Sequence, residues 1–261
     1  MDASKQIIGI GGSAIVSGHD EKTVLKGYIV VHDGRTKATF ANVDKCRRSL
    51  DVEYRAYERL GQHRNILRCF GWFEVLENAH SLRLERASQG DLRSYIEKTD
   101  SSRVALSTRL TWVIGLAAGL AHIHAQNVFH CDFSCRNILL TEHNVVKICD
   151  FGGAGLDSEE SDGIEEPRYE LPLRGRDFEA RPYKERDLFA LGSAIYEIMA
   201  WKKPLPELTD EEVLERFDRE SFPDVSNVPC GNIIKQCWNE RYGGAESVML
   251  ALQALMTAQQ D

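Results

Sequence analysis

HCDFSCRN at residues 130–137 and VVKICDFG at residues 145–152 are the two stretches that decide the fold of this chain. Asp132, Asn137 and Asp150 in these stretches carry side-chain oxygens, which are the ligands that Mg²⁺ prefers. Any one of them alone is as readily a backbone cap in a turn. Because all three occur in this order, separated by short connections, they indicate a site for a hard divalent cation.

A glycine-rich hairpin and a lysine precede these stretches near the start of the chain. Residues 9–16 read GIGGSAIV, and glycines allow a backbone to approach phosphate groups closely. No helix is predicted directly after them, which excludes a dinucleotide-binding fingerprint, although such a sequence alone is more often a simple hairpin. Lys26 lies between apolar residues of the next predicted strand and is either a surface lysine or a buried cation. A buried cation would need a carboxylate partner, and Glu53 on a predicted helix is the candidate.

Length, composition and charge exclude several classes of protein. The chain has 261 residues, 43% of them hydrophobic and 28% charged, which is typical of a soluble globular protein. A chain of this length buries a sufficient core without disulfides. The net charge of -8 argues against nonspecific binding to nucleic acid and against an anionic membrane surface.

The cysteines and the N-terminal sequence indicate an intracellular protein. The seven cysteines are odd in number and lack CxxC spacing, so we expect reduced thiols. The sequence MDASKQ at residues 1–6 is no signal peptide. The longest apolar stretch, residues 112–123, is too short to span a bilayer. We therefore expect a cytoplasmic or nuclear protein that does not bind membranes.

The predicted elements change from strands to helices along the chain. Short apolar runs bounded by turn residues predict strands at 6–10, 14–16, 23–26, 66–74 and 81–85. Apolar residues at helical spacing predict helices at 44–61, 91–98, 107–125, 187–200, 210–219 and 231–255. This order predicts an α+β architecture of two lobes, with a cleft between them in which a ligand binds.

Together these features resemble the eukaryotic protein kinases, and the resemblance covers nearly the whole chain. The HRDxxxxN motif of that family is met at His130, Asp132 and Asn137, and its DFG motif is met at residues 150–152. The resemblance implies a bilobed protein-kinase-like fold, with a small β-rich N-lobe that includes helix αC and a larger helical C-lobe. It implies one domain over residues 1–261, divided into an N-lobe at 1–85, a hinge at 85–88 and a C-lobe at 89–261.

The resemblance also implies ATP as the cofactor. The family's glycine loop is met at Gly9, Gly11 and Val16, with Ala14 in place of the third glycine. The family's strand lysine matches Lys26. Leu84 occupies the gatekeeper position before the hinge, and the αC glutamate matches Glu53, with Glu58 as the fallback. The resemblance implies nucleotide contacts from Gly9, Gly11, Val16, Val24, Lys26, Glu53, Glu85, Ala87, Asp91 and Leu139.

The roles of the catalytic residues follow from the same resemblance. Lys26, braced by Glu53, would hold the α- and β-phosphates of ATP. Asn137 and Asp150 would bind Mg²⁺. Asp132 would orient the hydroxyl of the acceptor and accept its proton, a contribution of about 10²–10⁴ in rate. The catalytic set is therefore Asp132, Lys26, Asn137 and Asp150.

Two features later in the chain narrow the resemblance. Residues 187–192 resemble the start of helix αF of the family. Cys237 and Trp238 resemble the Cys-Trp pair of the tyrosine-kinase-like branch. The overall resemblance is strongest to small kinase-like proteins of filamentous fungi.

The catalytic loop departs from the family pattern at two places. Cys131 replaces the arginine that contacts a phosphorylated activation loop, so we expect activity that does not depend on such a phosphate. Ser134 replaces the lysine usual in serine/threonine kinases, whereas Arg136 matches an arginine of many tyrosine kinases. The loop therefore leaves the acceptor open, and we expect serine or threonine because such kinases are more numerous.

The segment before residue 187 lacks the Ala-Pro-Glu motif of the family. The arginine that pairs with that glutamate is also not found after Trp238. The segment is acidic over residues 157–166 and basic over residues 174–184, which predicts either a solvated loop or an autoinhibitory or substrate-selecting charge pattern. Its candidate phosphorylation sites are Ser158, Ser161 and Tyr169.

Two other functions are compatible with the sequence. A pseudokinase scaffold would bind a nucleotide or a partner without turnover, although it has no chemical need for the complete catalytic set. A small-molecule phosphotransferase of the aminoglycoside-phosphotransferase kind shares the H-x-D-x-x-x-x-N core, although residues 187–192 and the Cys237–Trp238 pair favour a protein kinase. We expect a monomer that acts on protein substrates and does not bind nucleic acid.

Overall fold

The computed structural model describes residues 6–32, 35–156 and 161–258. Its N-terminal part contains the strands β1 Ile7–Ile10, β2 Ile15–Gly18, β3 Thr23–Gly27, β4 Ile29–His32, β5 Arg35–Thr39, β6 Cys69–Leu76 and β7 Ala79–Glu85, and the helix α1 Val43–Leu60. Five of these strands form an antiparallel sheet in the order β1-β2-β3-β7-β6, and β4 and β5 form a separate hairpin.

The rest of the described chain is mostly helical. Its helices are α2 Leu92–Lys98, α3 Leu106–Ala125, α4 Tyr183–Ala200, α5 Asp210–Asp218, α6 Gly231–Trp238 and α7 Ala245–Ala258. Its strands form two short antiparallel pairs, β8 Val128–Phe129 with β11 Gly155–Leu156 and β9 Ile138–Leu140 with β10 Val146–Ile148. A β-rich N-terminal part and a helical C-terminal part confirm the predicted bilobed kinase fold.

Helix α1 is amphipathic, and its buried face carries a charge. The Asn42 side chain caps the helix by accepting a hydrogen bond from the amide of Lys45, and the helix ends at Gly61, whose φ is 61°. Leu50, Tyr57 and Leu60 are buried on the inner face at helical spacing. Glu53 lies on the same face and is fully buried. A buried carboxylate needs a hydrogen-bonding or positively charged partner, so we expect one on a neighbouring strand.

Helix α3 forms the centre of the helical part. Leu116, Ala117 and Leu120 are completely buried, and the helix packs against α4, α7 and β10. In the part of the chain that is described, α3 is the one helix long and apolar enough to cross a bilayer by length and composition. The helix extends beyond the apolar stretch 112–123 at both ends. Its burial is that of the core helix of a folded domain.

Several predicted boundaries were wrong. The helix predicted at 231–255 is two helices, α6 and α7, which are separated at residues 239–244, where Gly243 and Gly244 lie. The hairpin of β4 and β5 was not predicted, because the exposed residues of β5 lack an alternating apolar pattern. Helix α4 begins four residues earlier than predicted, after Pro182, which suits a helix N-terminus.

Gly192 allows the close packing of α4 on α6, and this predicts an effect of substitution on stability. A methyl group at Gly192 would lie 2.6 Å from Cβ of Cys237, whereas one at Gly243 would meet nothing within 4 Å. We expect Gly192→Ala to lower the free energy of unfolding by about 1–3 kcal/mol through overpacking. The intrinsic helix propensity of alanine favours the opposite sign by about 1 kcal/mol. The free energy of unfolding in urea is measured for Gly192→Ala and for Gly243→Ala as the control. Equal stability of the two variants would contradict the prediction.

Candidate active site

The catalytic-loop backbone is held by one buried carboxylate, that of Asp187 in α4. Its two oxygens accept hydrogen bonds from the amides of His130 at 2.8 Å and Cys131 at 2.9 Å. His124 Nε2 lies 2.9 Å from the same carboxylate. Burial alone would raise the pKa of Asp187, but the hydrogen bond and charge of His124 outweigh it, so this pKa lies below its usual range. The carboxylate therefore stays ionised and stabilises the left-handed backbone of Cys131, whose φ is 61°.

Asp132 and Asn137, which the sequence predicted to act together, are in direct contact. The Asn137 side-chain amide donates hydrogen bonds to the Asp132 carbonyl at 2.8 Å and to Asp132 Oδ2 at 2.9 Å. Asp132 Oδ1 is buried and has no hydrogen-bond partner among the described residues. Burial, and next the charge of Asp150, raise the pKa of Asp132 to about 7. A buried carboxylate with one unused oxygen and this pKa is suited to accept a proton near neutral pH.

Lys26 links the sheet to α1 and to the DFG stretch. Its ammonium lies 2.6 Å from Glu53 Oε2 and 2.8 Å from Asp150 Oδ1. Burial opposes the charge on Lys26, but Asp150 and Glu53 together hold its pKa above the usual range. Glu58, the fallback partner, is exposed and accepts a hydrogen bond from the Tyr54 hydroxyl instead. Three of the predicted residues therefore form one contiguous ionic group.

Phe151 fixes the position of Asp150 through packing. Its buried ring lies between those of Tyr57 and His130, with centroids 5.1 Å away in each case. His130 Nε2 also lies 3.0 Å from the carbonyl oxygen of Cys149, which ties the catalytic loop to the DFG stretch. Asp150 itself has a φ of 66°, in the left-handed region that is uncommon for residues other than glycine, although aspartate enters it more readily than most.

Gly152 is required by a contact that the sequence did not predict. Ser49 of α1 donates a hydrogen bond to the Gly152 carbonyl at 3.1 Å and lies 3.3 Å from the hydroxyl of Ser13 in the glycine-rich hairpin. A methyl group at Gly152 would lie 2.2 Å from Ser49 Oγ. Ser49 thus connects α1, the hairpin and the DFG stretch, and a serine on an amphipathic helix carries no signal for such a role.

The residues predicted to hold a nucleotide line one side of the sheet and the connection after it. Val24 lies opposite Leu84 in the β3–β7 pair, and Val16 lies opposite Lys26 in the β2–β3 pair. Ala87 lies two residues after Glu85, the last residue of β7. Its backbone amide donates no hydrogen bond to any of the described residues. That amide is therefore available to a ligand.

Asp91 and Leu139 lie beside each other below this connection and form an isolated β-bridge. The Asp91 side chain accepts a hydrogen bond from the amide of Ser94 at 2.8 Å and thereby caps α2. Asp91 therefore has a structural role in addition to the predicted ligand contact.

The glycine-rich hairpin shows no internal need for its first glycines. A methyl group at Gly9 would meet nothing within 4 Å, and one at Gly11 would make only an ordinary contact with the carbonyl of Ala14. Neither residue has a positive φ. The fold itself would accept side chains at both positions, and their absence leaves room for a ligand close to the backbone.

The residues predicted to bind Mg²⁺ have oxygens that suit it. The side-chain nitrogen of Asn137 donates its hydrogen bonds to Asp132. Within residues 6–32, 35–156 and 161–258, no donor contacts the side-chain oxygen Oδ1 of Asn137. The Asp150 side chain is 42% exposed and faces Lys26 with one oxygen. No group of three or more His, Cys, Asp or Glu side chains that could hold a metal occurs within those ranges. Two protein oxygens are sufficient for Mg²⁺, which commonly keeps waters and substrate phosphates as its other ligands.

The segment after the DFG stretch is held by ion pairs within the protein. Glu165 lies 2.6 Å from Arg186, and both side chains are buried. Glu166 pairs with Arg93 of α2 at 2.5 Å and with Arg136 of the catalytic loop at 2.8 Å. The prediction of a solvated loop was wrong for these residues, because their charges pair with arginines far away in the sequence.

The basic part of the same segment is paired as well. Arg174 lies 2.7 Å from Glu220 and 3.1 Å from Glu240, and Arg176 lies 2.6 Å from Glu240. The segment before α4 and the loop after Trp238 are therefore joined by ion pairs, with the arginines on the segment and the glutamate on the loop. This polarity is opposite to that of the expected family salt bridge, which explains why neither half of that bridge was found.

Two of the three predicted phosphorylation sites can be placed. Tyr169 is completely buried, and its hydroxyl donates a hydrogen bond to Glu197 Oε2 at 2.5 Å, so it is not an accessible site. Ser161 is partly exposed and makes several hydrogen bonds. Ser158 lies outside the described residues.

The contacts of Asp187 predict a strong effect on stability. Asp187→Ala would leave the buried amides of His130 and Cys131 without an acceptor, so we expect a loss of about 3–5 kcal/mol in the free energy of unfolding. Asp177→Ala is the control, because Asp177 is exposed and makes no capping hydrogen bond. It should change the stability by less than about 0.5 kcal/mol. Denaturant unfolding of both variants decides the point, and a small loss for Asp187→Ala would contradict this role.

Comparison with known proteins agrees with this geometry. The family model for protein tyrosine and serine/threonine kinases matches residues 35–244. The match begins after Lys26, so the placement of the glycine-rich hairpin and of this lysine depends on the contacts described above.

Relatives with different acceptor residues are found at low identity. The chain is 30% identical over 175 residues to the human tyrosine-protein kinase FRK, which covers 63% of this chain and 35% of the relative. It is 33% identical over 165 residues to mitogen-activated protein kinase kinase kinase 20 of Arabidopsis thaliana, a match that covers 59% of this chain and 47% of the relative. It is 27% identical over 164 residues to the serine/threonine/tyrosine-protein kinase HT1 of the same plant, a match that covers 60% of this chain and 41% of the relative.

The matched part of each relative is less than half of its length. The family model, in contrast, covers most of this chain and contains the catalytic loop, the DFG stretch, Glu53 and Asp187. The chain belongs to the protein tyrosine and serine/threonine kinase family.

Proposed function

We propose that this chain is an ATP- and Mg²⁺-dependent protein kinase, which transfers the γ-phosphoryl group to a protein hydroxyl, on serine or threonine rather than tyrosine. The observation that carries the proposal is the ionic group of Lys26, Glu53 and Asp150. A buried ammonium between two carboxylates is costly to assemble, and a binding scaffold would not need it. Its position beside the Asp132–Asn137 pair is the arrangement that phosphoryl transfer requires.

Each residue of the site has one task in this proposal. ATP would supply the phosphoryl group, and Mg²⁺, held by Asn137 and Asp150, would neutralise phosphate charge. Lys26 would bind phosphate oxygens, and Glu53 keeps its ammonium in place. The unpartnered Oδ1 of Asp132 would accept the hydrogen bond of the acceptor hydroxyl and then its proton.

The nucleotide side of the site supports the same proposal. The unused amide of Ala87 is a hydrogen-bond donor for the base, and the side chains of Val16, Val24 and Leu139 offer it apolar surface. Because Gly9 and Gly11 have no side chains, the backbone of the hairpin can approach phosphates closely.

The pairing of Arg136 supports serine or threonine as the acceptor. In many tyrosine kinases an arginine occupies this position, and here Glu166 neutralises it at 2.8 Å. The Cys237–Trp238 pair supports placement in the tyrosine-kinase-like branch. The overall resemblance of the sequence, rather than this pair, supports kinship with small kinase-like proteins of filamentous fungi. The Trp238 indole donates a hydrogen bond to Ser193 of α4 at 3.0 Å, so this pair anchors α6 to α4.

The thiols support an intracellular location. All seven cysteines are free, and six of them are buried. A reducing compartment, cytoplasmic or nuclear, fits seven unpaired thiols. We propose protein substrates in that compartment.

The role of Asp132 leads to a test of activity. Asp132→Asn keeps the shape of the side chain but removes the proton acceptor, so we expect the transfer rate to fall by about 10²–10⁴ while ATP binding is retained. The assay uses labelled ATP, Mg²⁺ and generic protein substrates, followed by phosphoamino-acid analysis. Asp177→Asn is the matched control on an exposed aspartate and should leave the rate unchanged.

Three results would contradict the proposal. Equal rates for Asp132→Asn and the wild type would remove Asp132 from the mechanism. ATP binding without transfer by the wild type would favour the scaffold function, and transfer to sugars or amino alcohols rather than to protein would favour a small-molecule phosphotransferase.

The contacts of Cys131 support activity without a phosphate on the segment that follows the DFG stretch. A methyl group at Gly163 would lie 2.7 Å from the carbonyl oxygen of Cys131, so this part of the segment packs directly on the catalytic loop. The buried Glu165–Arg186 pair fixes the same part to α4. The contacts that hold the segment are therefore already made by the unmodified chain.

This arrangement predicts the effect of phosphatase treatment. We expect the transfer rate of the purified chain to fall by no more than about twofold after complete dephosphorylation, because the segment is fixed by the buried Glu165–Arg186 pair rather than by a phosphate. Mass spectrometry verifies the removal of phosphate. Loss of activity after this treatment, and its recovery on rephosphorylation, would contradict the prediction.

A further inference from the structure

The chain folds back on itself after the DFG stretch at a tightly packed contact, which we name the glycine joint. It consists of Cys131, Gly153, Gly155, Ser161 and Gly163. A methyl group at Gly153 would lie 2.7 Å from Cα of Gly163, and one at Gly163 would lie 2.8 Å from the carbonyl oxygen of Gly153. Such distances leave no space for side chains at Gly153 and Gly163 where the two segments of the joint meet.

The hydroxyl of Ser161 connects the two sides of the glycine joint. It donates a hydrogen bond to the Gly153 carbonyl at 2.6 Å and accepts one from the Gly163 amide at 3.0 Å. The amide of Ser161 donates a further bond to the Tyr183 hydroxyl at 3.0 Å. One side chain therefore uses its donor and an acceptor to close the joint.

The surroundings of this hydroxyl are unsuited to a negative charge. The Cys131 side chain is a thiol, which carries no positive charge in any protonation state, and burial raises its pKa to about 12. Arg186 is engaged by Glu165 at 2.6 Å and by the Gly163 carbonyl at 2.9 Å. Asp162 adds a carboxylate next to Ser161 in the chain. A phosphate here would meet like charge and an occupied arginine.

We propose that Ser161 is a modification site at which phosphorylation opens the glycine joint and lowers the transfer activity of the chain. The proposal rests on the proposed kinase function. The sign is opposite to that of a phosphate read by an arginine, because Cys131 offers no cation and the unmodified hydroxyl already holds the segment.

The modifying enzyme would be a protein kinase that recognises acidic residues, since Asp162 and Glu165 follow the serine. The γ-phosphoryl group of ATP would pass to Ser161 Oγ. The bond between the γ-phosphorus and its bridging oxygen breaks, the new P–O bond forms, ADP leaves, and the hydroxyl proton passes to a base of the modifying kinase.

The position of the glycine joint explains why its opening would affect activity. Gly153 lies three residues after Asp150, and Cys131 directly precedes Asp132. The β11 strand, which contains Gly155, pairs with β8 just before His130. Separation of the two sides would therefore release both stretches that carry the catalytic residues.

The test uses the full chain with phosphoserine incorporated genetically at position 161. The control carries phosphoserine at Ser247, which is exposed in α7. Hydrogen exchange is measured at the amides of residues 154–156, and the rate of phosphate transfer to a generic protein substrate is measured in parallel. We expect exchange at least about tenfold faster, and transfer at least about tenfold slower, for phosphoserine 161 than for the control.

A second variant separates charge from the loss of hydrogen bonds. Ser161→Thr keeps the hydroxyl without charge, so its exchange and transfer should stay within about threefold of the wild type. The proposal is overturned if phosphoserine 161 exchanges like the control, or if it exchanges faster while transfer is unchanged or increased. If the unmodified chain transfers no phosphate, the proposed kinase function fails, while the exchange measurement still decides whether the phosphate opens the joint.

Discussion

The buried ammonium of Lys26 is the interaction on which the rest of the site depends. It joins β3, α1 and the DFG stretch at one point, through contacts of 2.6 Å to Glu53 and 2.8 Å to Asp150. A charge removed from water in this way is stable only with its partners, and removal of one partner of such a pair costs about 3–5 kcal/mol. The three elements must therefore assemble together, and their assembly places Asp150 beside Asp132.

A second constraint acts from the helical side. Asp187 accepts hydrogen bonds from the two amides that precede Asp132, and α4, which carries it, is almost completely buried. The backbone conformation of Cys131, with a φ of 61°, is unfavourable for its residue type, and Asp150, with a φ of 66°, lies in the same uncommon left-handed region. They persist because Asp187 on one side and the Phe151 packing on the other fix them. Rigid elements thus hold uncommon backbone conformations at Asp150 and directly before Asp132, two residues of the catalytic set.

The sequence predicted the residues that the site brings together and failed at the contacts that hold them. Lys26, Glu53, Asp132, Asn137 and Asp150 were found because each has a residue type dictated by its chemistry. Ser49 and Arg93 carry no such signal: a serine on a helix and an arginine near a loop are ordinary surface residues until the fold supplies their partners.

The same reason explains the errors in the segment before α4. Its charges follow a local pattern that predicts solvation, whereas their partners lie more than 20 residues away in the sequence, Arg186 on α4 and Glu220 in the turn after α5. The glycine joint could likewise not be predicted from the sequence, because the close approach of Gly153 and Gly163 depends on a backbone path that no local propensity determines. The helix predicted at 231–255 was too long, since apolar spacing continued across Gly243 and Gly244.

The measurement that tests the central claim most directly is the rate of γ-phosphoryl transfer by the wild type beside Lys26→Met and Lys26→Arg. If the buried ammonium organises the site, the wild type transfers phosphate and the methionine variant is slower by at least about a hundredfold, or about 2.7 kcal/mol in the barrier. The arginine variant retains the charge but not the compact geometry, so its rate should fall as well. A methionine variant as fast as the wild type would contradict the account.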